Sequence, residues 1–210
     1  MPLPAKDLRL ARLFTAIVIG NWQEVRRQRA AAPAGEPDRA WRECVLQTHL
    51  FAGYPRLVQA FGVLAEEGGL GQAEAQEFEG PTPIPDPSGA VGRGRELFDR
   101  IYGDGSDKVR GLLHDYHADF ADWILGHAYG RVLARPGLEA AQRELLASCA
   151  LAALGQERQL ASHARGSLRC GATHEELMCA LEGVADLMPA ENWQRARRLV
   201  ERFSDGPPSR

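Results

Sequence analysis

The sequence predicts an all-α protein, a helical bundle built from two related halves. Three observations carry this. Ala and Leu abound while β-branched residues are scarce. Apolar residues recur at helical spacing through most of the chain. The gaps between periodic segments hold Gly, Pro, Asp, Ser and Thr, residues that cap or stop helices. With 210 residues the chain has ample length to bury a core, as one large domain or two small ones.

From Leu8 to Ile19, Leu10, Leu13, Phe14, Ile17 and Val18 mark one apolar face. A second helix runs from Trp22 through a basic, Ala-rich stretch until Pro33, Gly35 and Pro37 end it. Asp38 is the expected N-cap of a third, which carries Trp41, Val45, Leu46 and Leu50. Gly53-Tyr54-Pro55 breaks the pattern, and Pro55 suits the first turn of a helix reaching about Glu67. From Gly68 to Gly92 the period is lost, and PTPIPDPSG reads as an extended connector.

The second half opens with a helix from about Arg93 to Tyr102. After GDGS, with Ser106 or Asp107 as N-cap, one long helix is expected to reach about Val132, with Val109, Leu112, Leu113, Phe120, Trp123, Ile124 and Leu125. Arg135-Pro136-Gly137 ends it. Two helices joined by a tight turn at Gly155 occupy residues 142–173. Thr173 and Glu176 then form a capping box for a helix reaching about Leu187. Pro189 starts a last helix ending near Phe203, and the SDGPPSR tail is expected to fray. The organisation is thus an N-terminal half (1–75), a Pro-rich connector (76–92) and a C-terminal half (93–205).

The halves resemble each other. A shift of about 135 residues sets Gly20 on Gly155, the 22–32 helix on 157–167, Trp41–Leu50 on Leu177–Asp186, and Pro55 near Pro189. Gln28 then stands where the second half has His163, so a duplicated chain would keep the histidine in one copy only.

A net charge of -3 gives no reason to expect nucleic acid or an anionic membrane as partner. No apolar run approaches the roughly 20 residues of a membrane span, and the N-terminus lacks a secretory segment. The four cysteines, Cys44, Cys149, Cys170 and Cys179, never form C-x-x-C and sit in helical patterns. A reduced, cytoplasmic protein is expected. His114 and His117 could share a helix face, but no third ligand accompanies them. A zinc site around Cys170, His174 and Cys179 is equally unsupported, so no metal is expected. His127 reads as a packing residue, and His49 as a weak candidate for a site.

The richest stretch is QRELLASCALAALGQERQLASHARGSLRCGAT, from Gln142 to Thr173. Glu144 and His163 lie on its two helices as an acid–base pair. Gln156 and Gln159 precede His163 by seven and four residues and so share its helix face. An imidazole beside two amides suits a polar pocket for a small anion, and it can shuttle a proton near neutral pH.

This window, with HEELMCALEGVADL after it, resembles the core of the carboxymuconolactone decarboxylase and alkyl hydroperoxidase D superfamily. WILGHAYGRVLARPGLEAAQREL resembles the segment leading into that core, including the R-P-G-L turn at Arg135–Leu138. ELFDRIYGD resembles the family's N-terminal region. WRECVLQTHLFAGYPRLVQAF resembles a helix pair that normally follows the histidine, with Glu43, Gln47, Phe51, Gly53 and Pro55 matching. Here the better copy of that pair precedes the histidine, as in a duplicated or permuted chain. The peroxidase-like branch spaces its residues E-x11-C-x2-C-x3-H. This chain has Glu144, Gln156, Gln159 and His163 on that spacing, with amides in place of thiols. Disulfide chemistry needs a thiolate, which an amide cannot supply.

The resemblance therefore implies the decarboxylase-like branch: a cofactor-free carboxy-lyase acting on a small carboxylated lactone or similar anion, in a homo-oligomer. His163 would move the proton and Glu144 would orient it. Gln156 and Gln159 would hydrogen-bond the substrate, and Arg131 or Arg135 would hold its carboxylate. Glu43 would line a site between the halves, or else make a structural salt bridge. Two rival expectations stand beside this one, a non-catalytic helical binding module and a thiol peroxidase.

Overall fold

The computed structural model describes residues 3–70 and 87–203. Among them the chain is all-helical, as the sequence predicts. The first run is α1 (Ala5–Ile19), α2 (Trp22–Ala31), α3 (Arg39–Gln47) and α4 (His49–Glu66). A middle group holds α5 (Pro87–Tyr102), α6 (Ser106–Tyr116), α7 (Ala118–Trp123) and a π-helix (Ile124–Leu133). The last run is α8 (Ala140–Ala153), α9 (Glu157–Arg169), α10 (His174–Glu182) and α11 (Ala190–Glu201), with 3-10 turns at Gly103–Gly105 and Ala185–Leu187.

Two helices form the centre. In α1, every residue from Leu13 to Val18 is buried, and in α8 every residue from Arg143 to Ala153. A helix apolar on nearly all sides has to lie inside the fold. Around this pair one core takes side chains from both ends of the chain, including Trp41, Val45 and Leu64 with Leu160, Leu177, Leu181 and Val200. A second cluster, Phe98, Ile101, Leu125, Ala128, Tyr129, Leu133 and Cys170, lies where α5, the π-helix and the end of α9 meet. Gly94 and Gly130 permit that close approach. A methyl group on either would collide with the backbone carbonyl of Leu125 or Ala90.

The two outer runs share turn geometry at the offset of 135. Gly20 and Gly155 are left-handed, with φ 78° and 68°. The Gly20 amide donates to the Ile17 carbonyl and the Asn21 amide to Ala16; the Gly155 amide donates to Ala152 and the Gln156 amide to Leu151. Gln28, at the place of His163, is buried and donates to Glu24 Oε1 at 2.7 Å. The first hairpin thus has an amide–carboxylate contact where the second has an imidazole.

The caps expected at Asp38 and Thr173 form, whereas the one expected at Ser106 or Asp107 does not: Gly105 stands at the N-cap of α6 and no side chain caps it. The Asp38 carboxylate accepts from the amides of Ala40 and Trp41, and Thr173 and Glu176 make the capping box. Gly53, with φ 78° and ψ 167°, breaks α4, and Pro55 stands in the first turn beyond it. Two further expectations need correction. Helix α5 begins at Pro87, six residues before Arg93 and inside the expected connector of 76–92, whose residues 76–86 lie outside the described residues. The expected long helix up to Val132 is three elements. His117 is extended (φ −172°, ψ 129°), and its ring accepts from the Asp119 amide at 3.2 Å, capping α7. Beyond Trp123 the bonding changes to the five-residue π pattern, which a 3.6-residue apolar period does not report.

Candidate functional site

Helices α8 and α9 form a hairpin across the Gly155 turn, which brings Glu144 opposite His163. His163 Nδ1 lies 2.9 Å from Glu144 Oε2. Glu144 is 1% exposed and the His163 side chain 14%. A carboxylate only accepts, so Nδ1 carries the hydrogen and Nε2 is not engaged by Glu144. Burial by itself lowers the pKa of the ring; the charge and hydrogen bond of Glu144 outweigh it, and the net shift is upward. Glu144 Oε1 is buried and has no hydrogen-bond partner among the described residues.

The surroundings of the pair come from three parts of the chain. Phe51 of α4 meets the His163 ring edge-on, with centroids 6.1 Å apart. From the second cluster, the Tyr129 hydroxyl donates to that of Tyr102 at 3.3 Å, and Phe98 packs on both rings. Burial raises the pKa of both phenols, and the charge of Glu144 adds to the effect, so both stay protonated at neutral pH. Gly166 of α9 makes room for the carboxylate. A Cβ there would stand 2.7 Å from Glu144 Oε2 and equally close to Ile101 Cγ2.

The other residues singled out from sequence are spread more widely. Gln156 and Gln159 are exposed, and among the described residues no hydrogen bond joins either to Glu144 or His163. Arg131 is exposed on the π-helix, within electrostatic reach of His127. Glu43 is 4% exposed and held by two guanidiniums. Arg135 reaches it at 2.8–3.0 Å and Arg143 at 2.9 Å. Arg143 also donates to Gln47 Oε1 at 3.1 Å, and Gln47 returns a bond to the Arg143 carbonyl at 3.0 Å. Glu43 and Gln47 therefore tie α3 to the start of α8. Arg135 also borders an open groove of about 610 Å³, together with Arg93 and Arg100.

Sequence reasoning missed Arg143. The available signal was an arginine inside the apolar run of α8, where an unpaired charge cannot stay. It also underweighted His49, whose Nε2 meets His127 Nε2 at 2.9 Å. Arginines lie near Cys44 (Arg143) and Cys170 (Arg100 and Arg169), but burial outweighs them. Burial raises the pKa of Cys44 and Cys170 and pushes Cys149 up to about 12. Among the described residues no three His, Cys, Asp or Glu side chains are grouped to hold a metal, and no helix is long and apolar enough to cross a membrane.

These features define a class, all-helical proteins with a carboxylate–imidazole pair set between the helices of a hairpin and walled by aromatic rings. Residues 118–202 match the carboxymuconolactone decarboxylase family. Similarity to individual proteins is partial. Over 65 residues the chain is 40% identical to 4-carboxymuconolactone decarboxylase of Acinetobacter baylyi, covering 31% of this chain and 48% of that protein. Over 148 residues it is 25% identical to peroxisomal protein 2 of Schizosaccharomyces pombe, covering 66% of this chain and 64% of that one. The chain thus spans from about half to just under two thirds of these relatives.

Proposed function

We propose that the protein is a carboxy-lyase acting on a small carboxylated lactone or a related anion, with His163 as proton shuttle and Glu144 as its orienting partner. The observation that carries this is the 2.9 Å contact between His163 Nδ1 and Glu144 Oε2, which fixes the ring and leaves Nε2 for chemistry. The bond to the substrate carboxylate breaks, carbon dioxide leaves, and the electron pair moves into the lactone carbonyl as an enolate. The carbon that carried the carboxylate, or the position conjugated with it, then takes a proton from His163 Nε2, and solvent restores it. The substrate's own carbonyl is the electron sink, so this route calls for no cofactor.

The raised pKa of His163 supports the acid role, because more of the ring is protonated near neutral pH. Arg135, which opens the R-P-G-L turn, and Arg131, four residues before it, are proposed to attract the carboxylate, with Gln156 and Gln159 at the outer rim. The similarity to the Acinetobacter decarboxylase agrees with this reading in its substrate class. A second reading, a binding module without catalysis, is favoured by the 14% exposure of His163. Turnover separates the two. Carbon dioxide release from 4-carboxymuconolactone that disappears in His163→Ala supports the lyase. Release that persists in that variant removes His163 from the chemistry.

We also propose a homo-oligomer. Tyr54, Val58 and Phe61 are 63%, 69% and 41% exposed and stand at i, i+4 and i+7 on α4, an apolar stripe open to a second copy. Four free cysteines suit a reducing compartment, which is the ground for proposing the cytoplasm; the name of the yeast relative points instead to the peroxisome.

A further inference from the structure

His49 and His127 meet where the first turn of α4 reaches the π-helix. Their Nε2 atoms are 2.9 Å apart and their ring centres 5.1 Å apart. The nitrogens therefore lie close to the line between the centres, and the rings meet head-on, one N–H aimed at one lone pair. His49 Nδ1 stands 2.5 Å from the Leu46 carbonyl oxygen. A carbonyl only accepts, so His49 carries its hydrogen on Nδ1. Neutral His49 then accepts at Nε2, and His127 donates there. Tyr54 stacks on His49, with centroids 5.2 Å apart at 11°.

This contact is tied to the proposed site at both ends. Two residues beyond His49 stands Phe51, whose ring edges onto His163. Two residues beyond His127 stands Tyr129, which bonds Tyr102 beside Glu144. We propose that the His49–His127 hydrogen bond is a proton-counting clasp: with no or one extra proton on the two rings it holds Phe51 and Tyr129 around the Glu144–His163 pair, and with two it opens. The functional part of this rests on the lyase reading of that pair. The two histidines act as positioning residues.

The proton count follows from the bonding. A first extra proton goes to His127 Nδ1, so Nε2 still donates, now with charge assistance. A second can sit only on His49 Nε2, where it removes the acceptor lone pair and sets two cations in contact. Burial, His49 across the contact and Arg131 on the same helix all lower the pKa of His127. From α3, α5 and α7, which also pack on the π-helix, no charged group adds a resolved effect among the described residues. The clasp is therefore shut at neutral pH and opens on the acid side of the ordinary histidine value of about 6.5.

The test uses the full chain labelled with 15N-histidine, together with hydrogen exchange of residues 46–56 and 124–133, corrected for intrinsic rate, from pH 8 to pH 5. At pH 7.5 His127 should carry its proton on Nε2 and His49 on Nδ1. Both segments should lose protection together in one acid step. In His127→Phe they should exchange roughly two- to tenfold faster at pH 7.5, and the acid step should vanish. His127→Gln keeps a donor. It should retain protection at pH 7.5, which separates lost bonding from poor folding. Independent titration of the two rings with unbiased tautomers, or an acid step unchanged in His127→Phe, would overturn the clasp. His163→Gln separates the two proposals: if it keeps the acid step and still releases carbon dioxide, the lyase reading fails while the clasp stands.

Discussion

Glu144 and His163 are hydrogen-bonded at 2.9 Å between two helices of one hairpin, and the second oxygen of the carboxylate has no partner. A buried acceptor left open beside an oriented imidazole is costly for a fold to keep. It is the feature around which the other residues gain meaning.

The pairing makes stability depend on pH with a definite sign. The pKa of His163 is raised in the folded state, so the paired ring contributes its full stabilisation below the unfolded value of about 6.5. That contribution is lost as pH rises through the folded value. Urea unfolding of wild type and His163→Phe should show the largest wild-type advantage at pH 6 and a shrinking one toward pH 9. An advantage that grows with pH would contradict the pairing.

Glu43 serves two buried or half-buried arginines, so removing its charge should be expensive. Glu43→Gln and Arg143→Ala should each destabilise by about 3–5 kcal/mol, the scale for breaking a buried ion pair. Because they share one network, the double variant should cost less than the sum of the two. Chemical denaturation of the three variants measures this.

Gly166 gives Glu144 its place beside α9. In Gly166→Ala the added methyl group meets Glu144 Oε2 and Ile101 Cγ2 at 2.7 Å. The carboxylate should move away from His163, bringing the histidine pKa down toward its ordinary value and lowering the melting temperature. A histidine titration identical to wild type would show that the contact is relieved elsewhere.

Thiol chemistry should be quiet. Cys44, Cys149 and Cys170 are buried with raised pKa values, while Cys179 is half-buried. In the native protein a thiol reagent should label Cys179 first and the others only on unfolding. Peroxide should consume no thiol pair at a catalytic rate.

Much of the fold was legible because it rests on local signals. The caps at Asp38 and Thr173, the turn at Gly155 and the Gly53–Pro55 break are written in single residues whose backbone demands are strong. Glu144 and His163 could be singled out because they stand on two helices joined by one short turn, and the structure brings their side chains within 2.9 Å. The rest depends on contacts between distant segments. His49 meets His127, and Glu43 meets Arg143, only through packing that no spacing encodes. The amides show the converse. Gln159 lies one turn from His163, yet its side chain is exposed, because helical spacing gives a shared face but not where that face is covered. The change to π bonding after Trp123 escaped because it preserves the apolar stripe.

The most direct measurement is the pH titration of His163 by 15N NMR in wild type and in Glu144→Gln. The pairing predicts a ring protonated at Nδ1, with a pKa above the ordinary histidine value that falls when the carboxylate becomes an amide. A His163 that titrates at the ordinary value and does not respond to that substitution would contradict it.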